Sequence, residues 1–188
     1  MSNSKFIVIA APSGSGKTTI VNKLLDDKSL NLSFSISATS RAPRKNEING
    51  VNYFFLTKNE FLKRIEKKDF VEWEEVYQDT FYGTLISELE NALDKNLVFD
   101  IDVVGGLNIK KKFPKQTITI FIKPPSINEL ENRLKNRNLD SSASIKIRID
   151  KAKDEMLLAN KFDYIVENNV LENSFKEVLK LVKNFTNE

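Results

Sequence analysis

Phe6-Ile-Val-Ile-Ala-Ala-Pro-Ser-Gly-Ser-Gly-Lys-Thr18 carries an unbroken apolar run into a glycine-punctuated turn, and Ile20, Val21, Leu24 and Leu25 follow at helical spacing. The order is strand, turn, helix. A short run of β-branched and small apolar residues suits a strand covered on both faces. The turn and the helix start aim backbone N–H groups at one point, which makes an anion site. Lys17 adds a positive charge there and Thr18 a hydroxyl for Mg²⁺, so residues Ser13, Gly14, Ser15, Gly16, Lys17 and Thr18 are the expected cradle of a nucleoside triphosphate. Ala11 stands where the pattern G-x-x-x-x-G-K-[ST] has its first Gly. The alternative is an ordinary strand-to-helix turn; the buried-strand run before it and the apolar helix face after it favour phosphate.

At 188 residues the chain has the length of one well-buried core with insertions rather than of two independent domains. It contains no Cys and no His, which removes disulfides, thiolate and imidazole metal sites, thiol or Ser–His nucleophiles and imidazole acid–base catalysis. Carboxylates, cations, hydroxyls and backbone remain. Phosphoryl transfer suits that inventory, since it asks mainly for positioning and charge neutralisation. The net charge of +3 is small and its basic residues are interleaved with acids, so no nucleic-acid partner is expected, and Lys110-Lys111-Lys112 reads as a solvated helix end. The first apolar run is too short to span a membrane and follows no basic signal opening. A cytoplasmic protein with no membrane partner is the expectation.

Of the 29 basic residues only six are Arg, at positions 41, 44, 64, 133, 137 and 148, and the other 23 are Lys. Where a generic cation suffices this chain uses Lys; its arginines mark places that need a planar fork able to grip phosphate bidentately. Arg64 has a simpler reading as a helical partner of Glu60, four residues earlier. For the other five the competing reading is surface ion pairing.

Four apolar runs read as buried strands: Phe6 to Ala10, Leu97 to Ile101, Thr117 to Ile122 and Tyr164 to Val166. Capping boxes at Ser126-Ile-Asn-Glu129 and Ser174-Phe-Lys-Glu177 open helices, the second presenting Phe175, Val178, Leu179, Val182 and Phe185 as a core stripe. The alternation predicts an α/β fold, a parallel sheet with helices on both faces and ligands at the carboxyl ends of its strands. Between about Ser35 and Thr84 the alternation breaks. There Val51 to Leu56 and Phe70 to Tyr77 read as half-exposed strands around a helix begun by Thr57-Lys-Asn-Glu60, an inserted lobe. Lys135 to Ser144 is polar enough for a flap.

With loop, lobe and arginine-bearing flap in hand, the chain resembles the guanylate kinase family of nucleoside monophosphate kinases over nearly its whole length. The resemblance rests on Ala11-Pro-Ser-Gly-Ser-Gly-Lys-Thr18, Phe34-Ser-Ile-Ser-Ala-Thr-Ser-Arg-Ala-Pro-Arg44, Glu47-Ile-Asn-Gly-Val-Asn-Tyr-Phe-Phe55, Phe70-Val-Glu-Trp73, Phe81-Tyr-Gly-Thr84, Asp100-Ile-Asp102 and Pro124-Pro-Ser126, in the family's order and spacing. It implies transfer of the ATP γ-phosphoryl group to GMP or dGMP, giving GDP and ADP, with Mg²⁺. It divides the chain into a P-loop core (1–34, 89–132 and 149–188), a GMP-binding lobe (35–88) and a lid (133–148). Lys17, Arg44, Arg137 and Arg148 become the catalytic set, and Arg133 and Arg137 join the P-loop in holding ATP. Ser37, Arg41, Arg44, Tyr53, Glu72, Tyr82, Thr84 and Asp102 become the GMP site, with Glu72 reading the guanine N1–H and N2–H₂ donors and the arginines and tyrosines on the phosphate. Thr18 and Asp100 serve the metal.

The chain departs from the family pattern at three places: Val104, where an amide side chain is usual; Gln78-Asp-Thr80, one residue longer; and Glu167-Asn-Asn169, where an Asn-Asp pair is usual near the adenine. Two readings from other classes stand beside the kinase. A guanylate-kinase-like scaffold module would grip a phosphorylated peptide with the lobe, but such modules generally lose parts of the P-loop and flap, and this chain keeps Lys17, Thr18, Arg137 and Arg148. A P-loop GTPase switch would need an Asn-Lys-x-Asp motif, which the sequence lacks.

Overall fold

Two sheets share the strands. The computed structural model describes residues 4–92, 95–136 and 141–187. Along the chain come β1 (Phe6–Ala10), α1 (Lys17–Asp26), β2 (Leu32–Ser35), β3 (Ser37–Thr39), β4 (Phe54–Phe55), α2 (Lys58–Glu66), β5 (Phe70–Tyr77), β6 (Thr80–Leu85), α3 (Ile86–Glu90), β7 (Asn96–Ile101), α4 (Val103–Lys112), β8 (Thr117–Lys123), α5 (Ile127–Asn136), α6 (Ser142–Leu157), β9 (Tyr164–Glu167) and α7 (Leu171–Thr186). The larger sheet is parallel with strand order β2-β7-β1-β8-β9, and the smaller has order β4-β3-β6-β5.

Every residue of β1 is buried because both faces of the parallel sheet are covered. Ile7 and Ile9 pack with Ile20, Val21 and Leu24 of α1 and Val178 and Val182 of α7, while Phe6 and Val8 face Phe99 and Ile109. Burial of side chains of this size stabilises by about 1.5–3 kcal/mol each, so the sheet centre is where the chain is hardest to deform. The register sets Ile9 beside Asp100 and Ala10 beside Ile101, which brings the end of β7 next to the Gly-rich turn after β1.

The smaller sheet separates its faces. Ala38, Phe70, Phe81 and Leu85 pack on Phe61 of α2, with the Phe61 and Phe70 rings stacked at 4.4 Å. Ser37, Thr39, Glu72, Tyr82 and Thr84 occupy the other face, since Ser37 pairs with Thr84, Thr39 with Tyr82 and Glu72 with Thr84. Strict alternation would put Phe70 and Glu72 on one face. A register shift at Val71 separates them, sending the ring into the core and the carboxylate to the cleft.

Several local expectations change. A fifth strand, β2, joins the parallel sheet and pairs with β7; its pattern is half-buried, so it lacks the continuous apolar run of the others. At the opposite edge, β9 leaves Tyr164 and Ile165 exposed rather than buried. In the lobe, Val51 to Leu56 reduces to the two-residue β4, and β3 and β6 complete the sheet. The last helix opens at Leu171, not at Ser174. Ser174 is buried and its hydroxyl donates within 3.1 Å to Asn168 Oδ1, so it braces the preceding loop instead of capping. Glu60 completes the capping box with Thr57, while Arg64 pairs with Asp69 at 3.6 Å, since the box already holds the Glu60 carboxylate. Ser126 accepts from the Glu129 amide as expected, whereas the Glu129 carboxylate takes the Arg133 Nε–H at 2.9 Å. Nor is the end of α4 wholly solvated: Lys110 reaches Asp163 and the carbonyl of Thr117, and Lys112 the carbonyl of Val71.

Candidate active site

The turn between β1 and α1 is held from the far end of the chain. Gly16 has φ 88°, a backbone conformation that L side chains avoid, and a Cβ there would stand 2.5 Å from Asn168 Nδ2. That same nitrogen donates to Ser15 O at 2.7 Å, and Asn168 is buried behind β9. Within Glu167-Asn-Asn169 the middle residue thus has a structural role: it fixes the main chain of the loop.

Lys17 and Thr18 open α1, whose first-turn N–H groups have no acceptor within the helix. Lys17 Nζ lies 2.7 Å from Asp100 Oδ1 and donates to Ile101 O at 2.6 Å, and the Thr18 hydroxyl donates to Asp100 Oδ2 at 2.8 Å. Asp100 can hold both because the strand register delivers it to the turn. Thr18 and Asp100 are hard oxygen donors side by side, and the described residues include no cluster of three or more acidic side chains able to cage an ion. That donor set fits a Mg²⁺ that takes its other ligands from phosphate and water.

Across the cleft, Arg41 is locked in a cage of its own. Its fork donates to both oxygens of Glu47 at 2.8 and 2.9 Å, Nε donates to the Tyr82 hydroxyl at 3.1 Å, and the guanidinium lies over the rings of Tyr53 and Phe55. Burial works against the charge on Arg41, but the bonds to Glu47 and Tyr82 outweigh it and hold the guanidinium more firmly protonated. Burial likewise opposes an ionised Glu47, yet the fork of Arg41 and the amide of Arg44 keep its carboxyl below the usual range. Burial is also the main reason the Tyr53 hydroxyl is held well above its ordinary pKa, with the charge of Asp100 acting in the same direction. Arg44 is more open, its guanidinium 4.0 Å from Glu47.

Glu72 is 8% exposed and accepts the Thr84 hydroxyl at 2.7 Å. Burial pushes its carboxyl up to about 7; the Thr84 bond opposes this and the charge of Asp102 adds to it. Asp102 Oδ1 caps α4 by accepting the amides of Val104 and Gly105. A Cβ on Gly105 would stand 2.8 Å from Glu72 Oε2, so the missing side chain makes the space in which that carboxylate sits.

One cleft gathers Ser13, Gly14, Gly16, Lys17, Thr18, Ser37, Arg41, Arg44, Tyr53, Glu72, Tyr82, Asp100, Asp102 and Arg148. Thr84 lies behind Glu72, and Ser15 is buried beneath the turn. Arg133 stands away from the cleft lining, bonded to Glu129 and reaching Asn168 O at 3.4 Å. Arg137 lies outside the described residues. The extra residue near Gln78 is taken up by a register shift at Val76 and a tight hairpin whose Asp79 has φ 58°. Three residues without a motif of their own join the site: Tyr77 and Glu155 line the cleft, and Lys151 bonds to the lining residue Val76. A Lys and an acid on a polar helix give no signal of their own. The partnership of Glu47 with the two arginines was hidden because Glu47 looks like any loop acid.

The family profile described as guanylate kinase matches residues 3–185. The chain belongs to the guanylate kinase family. Among its guanylate kinase relatives, the protein of Bacteroides thetaiotaomicron is 52% identical over 186 residues, covering 98% of this chain and 91% of its own, and that of Mycoplasma mobile is 44% identical over 190 residues, covering 97% and 94%. The crystal structure of guanylate kinase from Anaplasma phagocytophilum superposes with a TM-score of 0.81 at 28% identity, over all of this chain and 88% of that one.

Proposed function

We propose that this cleft seats ATP and GMP end to end and moves the γ-phosphoryl group of ATP to the GMP phosphate, giving ADP and GDP. The observation that carries it is the shared cleft: Lys17 at the head of α1 faces the Arg41, Arg44, Tyr53 and Tyr82 cage, with buried Glu72 and Thr84 beyond. In this reading residues 35–88 form the GMP lobe, 133–148 the lid, and the remainder the P-loop core.

The turn amides and Lys17 bind the β- and γ-phosphates. Arg44, with Arg41 behind it and the Tyr53 and Tyr82 hydroxyls, takes the GMP phosphate and offsets the charge that would repel the donor. Guanine meets the Glu72 carboxylate with its N1–H and N2–H₂ donors and a hydroxyl of Ser37 or Thr84 with O6; adenine cannot supply that donor pair, which leaves the carboxylate unmatched. Asp102 supports this end. Arg148, which lines the cleft and reaches Ser13 of the phosphate loop, is assigned to ATP, and Arg133 joins it there only by leaving its Glu129 partner; Arg137 is given the same role on the resemblance alone. Thr18 and Asp100 would hold Mg²⁺, which when bound supplies charge neutralisation along the phosphates. Both substrates are soluble nucleotides, and we place the reaction in the cytoplasm as a step of purine nucleotide metabolism. No described helix is long and apolar enough to cross a membrane.

A coupled ADP-release assay with Mg²⁺-ATP and GMP, dGMP, AMP, CMP or UMP tests the reading. GMP and dGMP turn over; AMP, CMP and UMP are slower by at least about 10². AMP faster than GMP overturns it. The titration of Glu72 adds a second expectation. Guanine addresses the anion, and the carboxyl in the free site titrates at about 7, so KM for GMP falls as pH rises from about 6 to about 8 and then levels. Because the bound base favours the ionised form, GMP uptake near pH 6.5 (roughly) releases protons, read by calorimetry in buffers of different ionisation enthalpy. Glu72→Gln removes that share of the release; a KM that rises across this window contradicts the assignment.

A further inference from the structure

Arg148, Lys151 and Glu155 follow one another at three- and four-residue steps on α6, and all turn toward the end of β5. The Arg148 guanidinium lies over the Tyr77 ring at 5.5 Å, and the Lys151 ammonium over the same ring at 5.1 Å. Lys151 Nζ also donates to Val76 O at 3.0 Å, at the point where the register shift takes residue 76 out of pairing. Two cations beside one ring repel each other, and Glu155, 7% exposed, stands 3.8 Å from Lys151; burial pushes its carboxyl up to about 7, so it offsets that repulsion in full only above neutral pH. From this seat Arg148 Nη1 reaches back to Ser13 Oγ of the phosphate loop at 2.9 Å.

We propose that Tyr77 and Lys151 are positioning residues, which dock α6 on the end of β5 and thereby hold Arg148 at the phosphoryl group in transfer. The inference rests on the role given to Arg148 under Proposed function. Tyr77 and Glu72 belong to one strand, so the strand that reads the base also carries the platform on which the arginine rests. A ring presents its negative face to both cations, and the carbonyl of Val76 fixes the helix along its axis. Removing the platform lets the guanidinium leave its line of attack without changing any group assigned above to GMP.

The test is a kinetic double-mutant cycle joined to hydrogen exchange of the full chain. Tyr77→Leu lowers kcat about tenfold, with KM for GMP and for ATP within about twofold of the parent. Tyr77→Phe keeps the ring and recovers kcat to within about twofold. In an Arg148→Ala background Tyr77→Leu costs less than about twofold, because the residue through which it acts is gone. Amides of α6 exchange faster in Tyr77→Leu and in Lys151→Met, while those of β1 and β8 do not, which separates undocking from general loss of structure. A full tenfold loss retained in the Arg148→Ala background, or a loss expressed in KM for GMP instead of kcat, overturns the positioning role. Unchanged exchange in α6 overturns the docking itself. Full activity of Arg148→Ala alone would instead overturn the role assigned to that arginine, with the docking still decided by the exchange arm.

Discussion

Lys17→Met reduces kcat by at least about 10³ while GMP still binds with little change. A preorganised cationic donor at developing charge is worth about 10²–10³ in rate by itself. Lys17 does more, because it is also the partner of Asp100, 2.7 Å away and only 12% exposed in its side chain. Methionine keeps the apolar stem and deletes the charge, leaving Asp100 facing Thr18 and the phosphates with an uncompensated negative charge, so donor binding suffers as well. In the proposed arrangement GMP meets a different wall of the cleft, across from the loop, and its affinity measured by calorimetry without ATP is the internal control. A loss of kcat below tenfold would remove Lys17 from the phosphoryl path.

Glu72→Gln lowers kcat/KM for GMP by about 10² and leaves KM for ATP within about twofold. The substitution preserves shape in a site that has little room, since the carboxylate is buried, bonded to Thr84 and seated against Gly105. Its amide offers one acceptor and one donor group where guanine presents two donors, so one base N–H meets another donor or finds no partner. Losing a hydrogen bond to a charged group costs about 1.5–3 kcal/mol, which is the stated range of activity. The mutant also loses the share of the pH dependence of GMP affinity that Glu72 contributes near neutrality. Unaltered GMP kinetics would take the base-reading role away from Glu72.

How far these features could be read from letters alone depends on where the signal lay. The β1 turn was legible because buried parallel strands are continuous in apolar residues and the cradle has a fixed spelling. The lobe was legible as an interruption but not as a sheet: β3 is three residues long and β4 two, too short for periodicity to register. The opposed facing of Phe70 and Glu72 depends on a one-residue shift that no alternation rule supplies. Ser174 followed by Glu177 spells a helix start, yet tertiary demand won, because Asn168 needed a partner behind the loop. Residue types also mislead when the partner is remote. Arg64 had a suitable acid four positions back, but capping had already engaged it.

The bond between Asn168 and Ser15 joins positions 153 apart in sequence. Chains emerge from the ribosome amino end first, and β1 can be threaded between its neighbours only after β7 and β8 have appeared. Even then the carbonyl of Ser15 lacks its Asn168 partner until β9 and the turn beyond it arrive. The triphosphate pocket therefore matures late in synthesis although its letters are translated among the first twenty. A nascent fragment ending short of Asn168 would carry the whole nucleotide signature and still lack the rigid loop that turns it into a working one.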